Sequence, residues 1–246
     1  MARFRRLLPA GPDCDAGEAL AGWRDELPRT SRRPRVALNM IASVDGRVAI
    51  GGRSGQLGGP ADRELFHTLR ARSDAVMAAA GTVRSERYGP LIRDGDVRER
   101  RVASGLAPQP LAVIASRSLA LDPELPLLAD PDSRVVIITP AAGSLAPTRA
   151  SVDYIRSGSL TDGLVELAQA FAVSVIVCEG GPTLNGALLR EGLIDELFLA
   201  LSPQLVGGEA GPSLLIDDGK PVPAPLELRL LLEHDSMLFA RYVVRR

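Results

Sequence analysis

Cysteine and histidine are nearly missing from this sequence, and several chemistries leave with them. Its 246 residues hold two of each. Cys14 sits in an N-terminal arm and Cys178 in an apolar run, which makes no disulfide framework. His67 and His234 lie far apart with no cysteine or second histidine nearby, so neither a zinc cage nor a Ser-His-Asp engine can be assembled by the usual spacing. We assign both histidines surface or structural roles, and Cys178 a packing role, since no base is visible near it. Charge of one sign is lacking too: the formal net charge is -1, with basic residues dispersed, which gives no field to recruit nucleic acid or an anionic membrane. Nor is there a long apolar run. After Arg3, Arg5 and Arg6 only Leu7-Leu8 precede Pro9, too short for a signal segment, and nothing approaches spanning length. The expectation is a cytoplasmic protein without a metal.

What is present is an ordinary globular composition, 46% hydrophobic and 24% charged, with length enough for a sizeable core. Strand and helix signals alternate. Residues 1–33 read as a Pro-, Gly- and Arg-rich arm with one short helix around Leu20–Leu27, and residues 34–246 as a single domain. "RVALNMI" is its first core strand. Pro60 after Gly59 opens a helix through Arg72, "DAVMAAA" and "PLAVIA" are strands, and polar residues 93–109 between them read as a long surface loop. "RVVIIT" and "VDYIR" follow. Ser159 and Asp162 form a capping-box signal for a helix ending near Phe171. "ELFLALSPQLVG", "LELRLLLEH" and "SMLFARYVVR" close the chain as strands, the last two antiparallel at the sheet edge, followed in space by a partner that covers their apolar rim. "PVPAP" at 221–225 is the one biased segment.

One junction carries chemistry. Val175, Ile176 and Val177 are a strand buried on both faces, while Leu184, Leu188 and Leu189 recur at helical spacing. Gly180 and Gly181 therefore stand where a strand hands over to a helix. Glycines there let backbone amides approach a ligand, and the unpaired amides of a first helical turn favour an anion such as phosphate. A strain-relieving tight turn is the competing explanation. Two further strands end in small polar residues, Gly81-Thr82 with Arg84, and Ser116-Arg117. In an open α/β sheet this is the ligand-binding edge. Three such turns suit a dinucleotide, and Arg84, Arg87 and Arg117 offer charge for an added 2′-phosphate. Yet no G-x-G-x-x-G follows the first strand; it runs into "SVDG", where Asp45 either caps the turn or faces substrate.

Three segments, "LNMIASVDGRVA", "LRARSDAVMAAAGTVRSERYGPL" and "VIVCEGGPTLNGALLREGLIDELFLALSPQLVGG", together resemble the reductase domain of riboflavin biosynthesis, which also forms the C-terminal half of bifunctional deaminase-reductases. The resemblance covers about residues 34–245. It implies an α/β, dihydrofolate-reductase-like three-layer sandwich with a mixed, mostly parallel central sheet, and a cytoplasmic homodimer. It implies that NADPH reduces the ribose of a 5-amino-6-ribosylaminouracil phosphate to ribityl, with hydride delivered to the anomeric carbon of the opened, imine-like sugar. The His-Ala-Glu and paired-cysteine motifs of the deaminase half do not occur here.

Carried over by residue, the resemblance places Gly180, Gly181, Pro182, Thr183, Leu184 and Asn185 at the cofactor pyrophosphate. Ile41, Ala42, Leu57, Gly81, Thr82, Val83, Glu86, Ser116 and Arg117 complete the cofactor set. The substrate set is Asn39, Ser54, Gly55, Arg70, Leu91, Arg93 and Glu179, with Glu179 at the sugar and Arg70 and Arg93 at the phosphate. Glu179 and Asp45 are the candidates for orienting and protonating. Several positions depart from the family's habit: Asn39 stands for lysine, Gly55 for serine, Leu57 for tryptophan, Glu86 for aspartate, and "ERYGPLIR" is one residue longer than usual. A pterin or dihydrofolate reductase with the same cofactor, and a homodimeric nucleotide-binding protein without turnover, are the alternatives.

Overall fold

The structure, a computed structural model, describes residues 1–26, 32–208, 213–216, 219 and 223–245. Leu27 of the expected arm helix and Pro221-Val222 of the Pro-rich segment lie outside the described residues. The chain organises into two compact units, one of Met1–Leu27, Val36–Leu69 and Pro182–Arg246, the other of Pro28–Arg35 and Arg70–Gly181.

The first unit is built on mixed strands. The apolar run expected as the first core strand forms β2 (Arg35–Ser43), which pairs in parallel with β8 (Glu196–Ser202), Ala37 opposite Glu196 and Ser43 opposite Ser202. Antiparallel pairs then run from β8 to β10 (Met237–Val244) and from β10 to β9 (Leu226–His234). Asp235 and Ser236 make the two-residue hairpin turn, both at positive φ (47° and 65°), as the twist of flanking strands requires. The antiparallel expectation for the closing pair is met, but the edge is not where the sequence put it. The outer side of β9 is taken by β1 (Arg5–Leu8) of the arm, so the chain covers its own rim there. Two short helices complete the arm: α1 (Ala16–Ala19), closed by a reciprocal Asp15–Glu18 capping box, and α2 (Trp23–Glu26). Trp23 meets Phe198 edge-on at 5.5 Å, and Phe4 meets Phe239 at 5.4 Å. The arm is thus core, because its aromatics bury large apolar area in this unit. Helices α3 (Pro60–Arg72) and α7 (Pro182–Arg190) both open on a proline, which has no amide to leave unpaired.

The second unit is all parallel, in the order β7-β3-β4-β5-β6, with β3 (Ala75–Ala79), β4 (Leu111–Ala115), β5 (Arg134–Thr139), β6 (Ser151–Arg156) and β7 (Val175–Cys178). The fold is therefore α/β with mixed, mostly parallel pairing, as the resemblance implies. Both faces of β3, β4, β5 and β7 are buried, which explains their unbroken Val, Ile and Ala runs. Ser159 caps α6 (Leu160–Phe171) by accepting from the Asp162 amide. Between β3 and β4 come α4 (Ala80–Ser85) and α5 (Gly95–Ala103). The latter corrects the expected long loop. Its sequence shows no apolar stripe, and it is held instead by the Asp94 cap and by Arg101, which is 2% exposed and donates to the carbonyls of Arg70, Ala71 and Ser73.

Candidate active site

Because β7, β3 and β4 are neighbours and parallel, their C-terminal ends share one edge of the second unit. All three polar turns picked out in the sequence's strands fall on that edge. The β3 and β7 ends are tied by the Glu179 amide donating to Met77 O at 2.8 Å and the Ala79 amide to Gly180 O at 2.6 Å. Gly180 is at φ 85°, in the left-handed region that favours glycine. Gly181 is needed for a different reason: a Cβ there would stand 2.8 Å from Thr82 Oγ1. The turn after β7 and the first turn of α4 thus leave no space for a side chain, the close-packed backbone cradle an anionic cofactor group requires. Ser116 is buried, its Oγ accepting from the Leu119 amide, while Arg117 projects exposed and Arg84 donates to Ala120 O. Val83 and Leu91 are core side chains, so they offer a ligand backbone only.

At the same edge stands a buried polar network. Arg70, in the last turn of α3, donates Nε to Glu179 Oε1 at 2.7 Å and Nη2 to Glu179 Oε2 at 2.8 Å, a two-pronged pairing. Nη1 donates to Leu91 O at 3.2 Å. Tyr88 donates its hydroxyl to Glu179 Oε2 at 2.5 Å, and its ring faces the Arg70 guanidinium with 5.4 Å from Cζ to the centroid. Burial works against the Arg70 charge, but the Glu179 carboxylate and Tyr88 together raise its pKa above the ordinary value. Burial and the Glu179 charge push the Tyr88 phenol well above its usual range, so it stays a donor. Burial also pushes the neighbouring Cys178 thiol up to about 12, which makes it inert packing, as expected. Arg70 was assigned to the substrate phosphate; its Nε and Nη2 instead clamp the acid assigned to the sugar. Arg93 is exposed.

In the first unit Asp45 takes a structural post. It accepts from Ser43 Oγ at 2.5 Å and from the Val206 and Gly207 amides at 3.1 and 2.8 Å. The Ser43 hydroxyl, followed by these amides, holds its carboxyl far below the usual carboxylate range, so it has no proton to give near neutrality. Its carboxylate thus ties the "SVDG" turn, through Ser43, to residues 206–207. Leu57, expected beside the nicotinamide, is 1% exposed and packs in the core. Asn39 lines a small cavity with Asp62, Phe66 and Phe198, while Ser54 and Gly55 lie in a surface turn. Ile41 is half-buried and Ala42 buried on β2. At the start of α7 Thr183 is exposed, Leu184 is buried, and Pro182 O accepts from the Ile216 amide. Asn185 is fully buried and donates Nδ2 to Leu214 O at 2.9 Å, so its side chain fastens the helix.

The sequence model of the RibD C-terminal domain matches residues 34–236. A 2,5-diamino-6-ribosylamino-4(3H)-pyrimidinone 5′-phosphate reductase of Methanothermobacter thermautotrophicus is 27% identical over 192 residues, 76% of this chain and 86% of that protein. The riboflavin biosynthesis protein RibD of Mycobacterium tuberculosis is 32% identical over 189 residues, which cover 75% of this chain and 46% of that one. Among solved structures, a pyrimidine reductase-like protein of Corynebacterium diphtheriae shares the fold at TM-score 0.79 and 24% identity, over 95% of this chain and all of that one. Acinetobacter baumannii RibD superposes at TM-score 0.73 with 27% identity, over 87% of this chain and 59% of its own. With the family's sequence model matched across most of its length and the strand-edge turns in place, the chain belongs to the RibD C-terminal domain family, the reductases of riboflavin biosynthesis.

Proposed function

We propose that the chain is an NADPH-dependent reductase that converts the ribosyl group of a ribosylaminopyrimidine 5′-phosphate to ribityl. A nicotinamide cofactor follows from the reductase family; NADPH in particular, the substrate and a homodimeric state are the finer parts of the proposal. The observation that carries it is the buried Arg70–Glu179 pair beside the Gly180-Gly181 turn on the second unit's strand edge. The backbone of Gly180 and Gly181, with Thr82 and Ser116, holds the cofactor's phosphates, and Arg117, exposed after β4, meets the 2′-phosphate that separates NADPH from NADH. When bound, the cofactor supplies hydride to the anomeric carbon. Glu179, fixed by Arg70, accepts from a sugar hydroxyl and so orients that carbon. The proton taken up by the sugar's nitrogen comes from water, since Asp45 is committed as an ionised staple of residues 206–207 and Glu179 as an acceptor. Asn39, Ser54, Gly55 and Arg93 are proposed to meet the rest of the substrate.

The test is to incubate the protein with the ribosylaminopyrimidine phosphate and either NADPH or NADH, with dihydrofolate in parallel, following nicotinamide absorbance. The proposal expects oxidation of NADPH with the sugar phosphate, slower oxidation of NADH, and none with dihydrofolate. Gly181→Asp, which forces a carboxylate against Thr82 and into the cradle, is expected to abolish NADPH protection in a thermal-shift assay; unchanged protection would remove the turn from the cofactor site.

A further inference from the structure

Tyr88 belongs to no set the sequence singled out, yet it is one of the most firmly placed side chains on the strand edge. Helix α4 ends with the Glu86 amide on Thr82 O; Arg87 then turns left-handed at φ 49°, and the Tyr88 amide reaches back to Val83 O at 3.0 Å. That six-to-one closure reverses the chain. The Tyr88 carbonyl accepts from the Leu127 amide at 2.8 Å, and the ring packs against the core cluster around Val83 and Leu91. Backbone and ring are both fixed, so the hydroxyl reaches Glu179 Oε2 without a search.

An ionised carboxylate has about four acceptor positions, two on each oxygen. On Oε2 the Arg70 Nη2 and the Tyr88 hydroxyl fill both; on Oε1 Arg70 Nε fills one. Among the described residues, one acceptor position, on Oε1, has no protein donor. We propose that Tyr88 is a positioning residue that closes Oε2 of Glu179 and leaves Oε1 as its single substrate-facing acceptor, so that a sugar hydroxyl docks in one orientation. The inference rests on the reading of Glu179 as the acid that meets the sugar. It assigns Tyr88 no contact with the reacting atoms.

Tyr88→Phe removes the hydroxyl and keeps the ring over Arg70. The expected result is a kcat/KM for the ribosylaminopyrimidine phosphate lowered about 10-fold, mostly in kcat because a second docking orientation is unproductive. Melting temperature and NADPH protection stay near wild type. The carboxyl 13C chemical shift of Glu179, read at one fixed pH with no substrate present, is expected to differ between wild type and Tyr88→Phe because the variant lacks the hydroxyl donor on Oε2, and this arm separates the two claims. A wild-type protein inactive on the sugar phosphate would sink the reading of function, while a changed Glu179 carboxyl signal in Tyr88→Phe would still uphold the link between the residues. An unchanged signal, or a wild-type kcat/KM, overturns the proposal. So does a variant that loses NADPH protection and melting temperature together, which would make Tyr88 a folding element only.

Discussion

Among the described residues, each unit buries an arginine-glutamate pair against an aromatic side chain, and the two pairs differ in their surroundings. In the first unit Arg241 donates Nε to Glu196 Oε2 at 2.7 Å, with side chains 5% and 0% exposed, and the Trp23 indole donates to both Glu196 oxygens. In the second, Arg70 and Glu179 are 10% and 3% exposed, and the aromatic donor is the half-buried Tyr88. Glu196 begins β8 and is closed from solvent by two segments, α2 through Trp23 and β10 through Arg241. Glu179 follows the last residue of β7 at the ligand edge and keeps an acceptor position in hand. The same kinds of group thus make a staple in one place and, in the proposed function, a docking point in the other. What separates them is position along a strand, together with a phenol that caps one oxygen where an indole spans two.

Four substitutions sharpen or break that contrast. The largest effect is expected for Glu196→Ala, which takes the buried carboxylate from the Arg241 guanidinium, leaves it the half-exposed Glu26, and lowers stability by about 3–5 kcal/mol, read from the urea midpoint; NADPH affinity of the folded fraction stays unchanged. Next comes Glu179→Gln, for which turnover falls about 100-fold while NADPH affinity is retained. An unaltered rate there would strip Glu179 of its role and make the two pairs equivalent. Asp62 supplies a third case, an acid whose burial outweighs the charge of nearby Arg63 and raises its pKa from 3.8 to about 6. A carboxyl with a raised folded-state pKa contributes stability that is complete below about pH 4 and lost as pH climbs through 6. Asp62→Asn should therefore flatten stability between pH 4 and 7 by on the order of 3 kcal/mol, measured by denaturant titration across that range. The smallest effect is for Trp23→Phe, which removes the indole donor and is expected to cost about 1–2 kcal/mol with kcat unchanged.

Much of the frame was legible because buried parallel strands write themselves as unbroken Val, Ile and Ala runs: β3, β4, β5 and β7 all fall within the segments read as strands. Helix α3, with a proline start, and α6, with the Ser159 cap, were legible for local reasons too. Helix α5 was not, since "GDVRERRVA" has no apolar stripe and depends on Arg101 reaching carbonyls about 30 residues away in sequence. β1 escaped notice because "RRLL" becomes a strand only by pairing with β9. Within the site, Glu179, Arg70, Thr82 and Gly181 were each named, but the bond between Arg70 and Glu179 joins residues 109 apart and has no local signature. Tyr88 stands in "ERYGPLIR" without a local sign of its role, since Arg87's left-handed turn and the bond from the phenol to Glu179, 91 residues away, are set by the fold.

The most direct test of the account is a single-turnover reaction of protein, NADPH and the ribosylaminopyrimidine phosphate, with the sugar product analysed by mass and stoichiometry. The expected result is one ribityl product per NADPH oxidised, gaining two hydrogens at the sugar, formed about 100-fold more slowly by Glu179→Gln. NADPH oxidation with no change in the sugar, or the same single-turnover rate from Glu179→Gln, would contradict it.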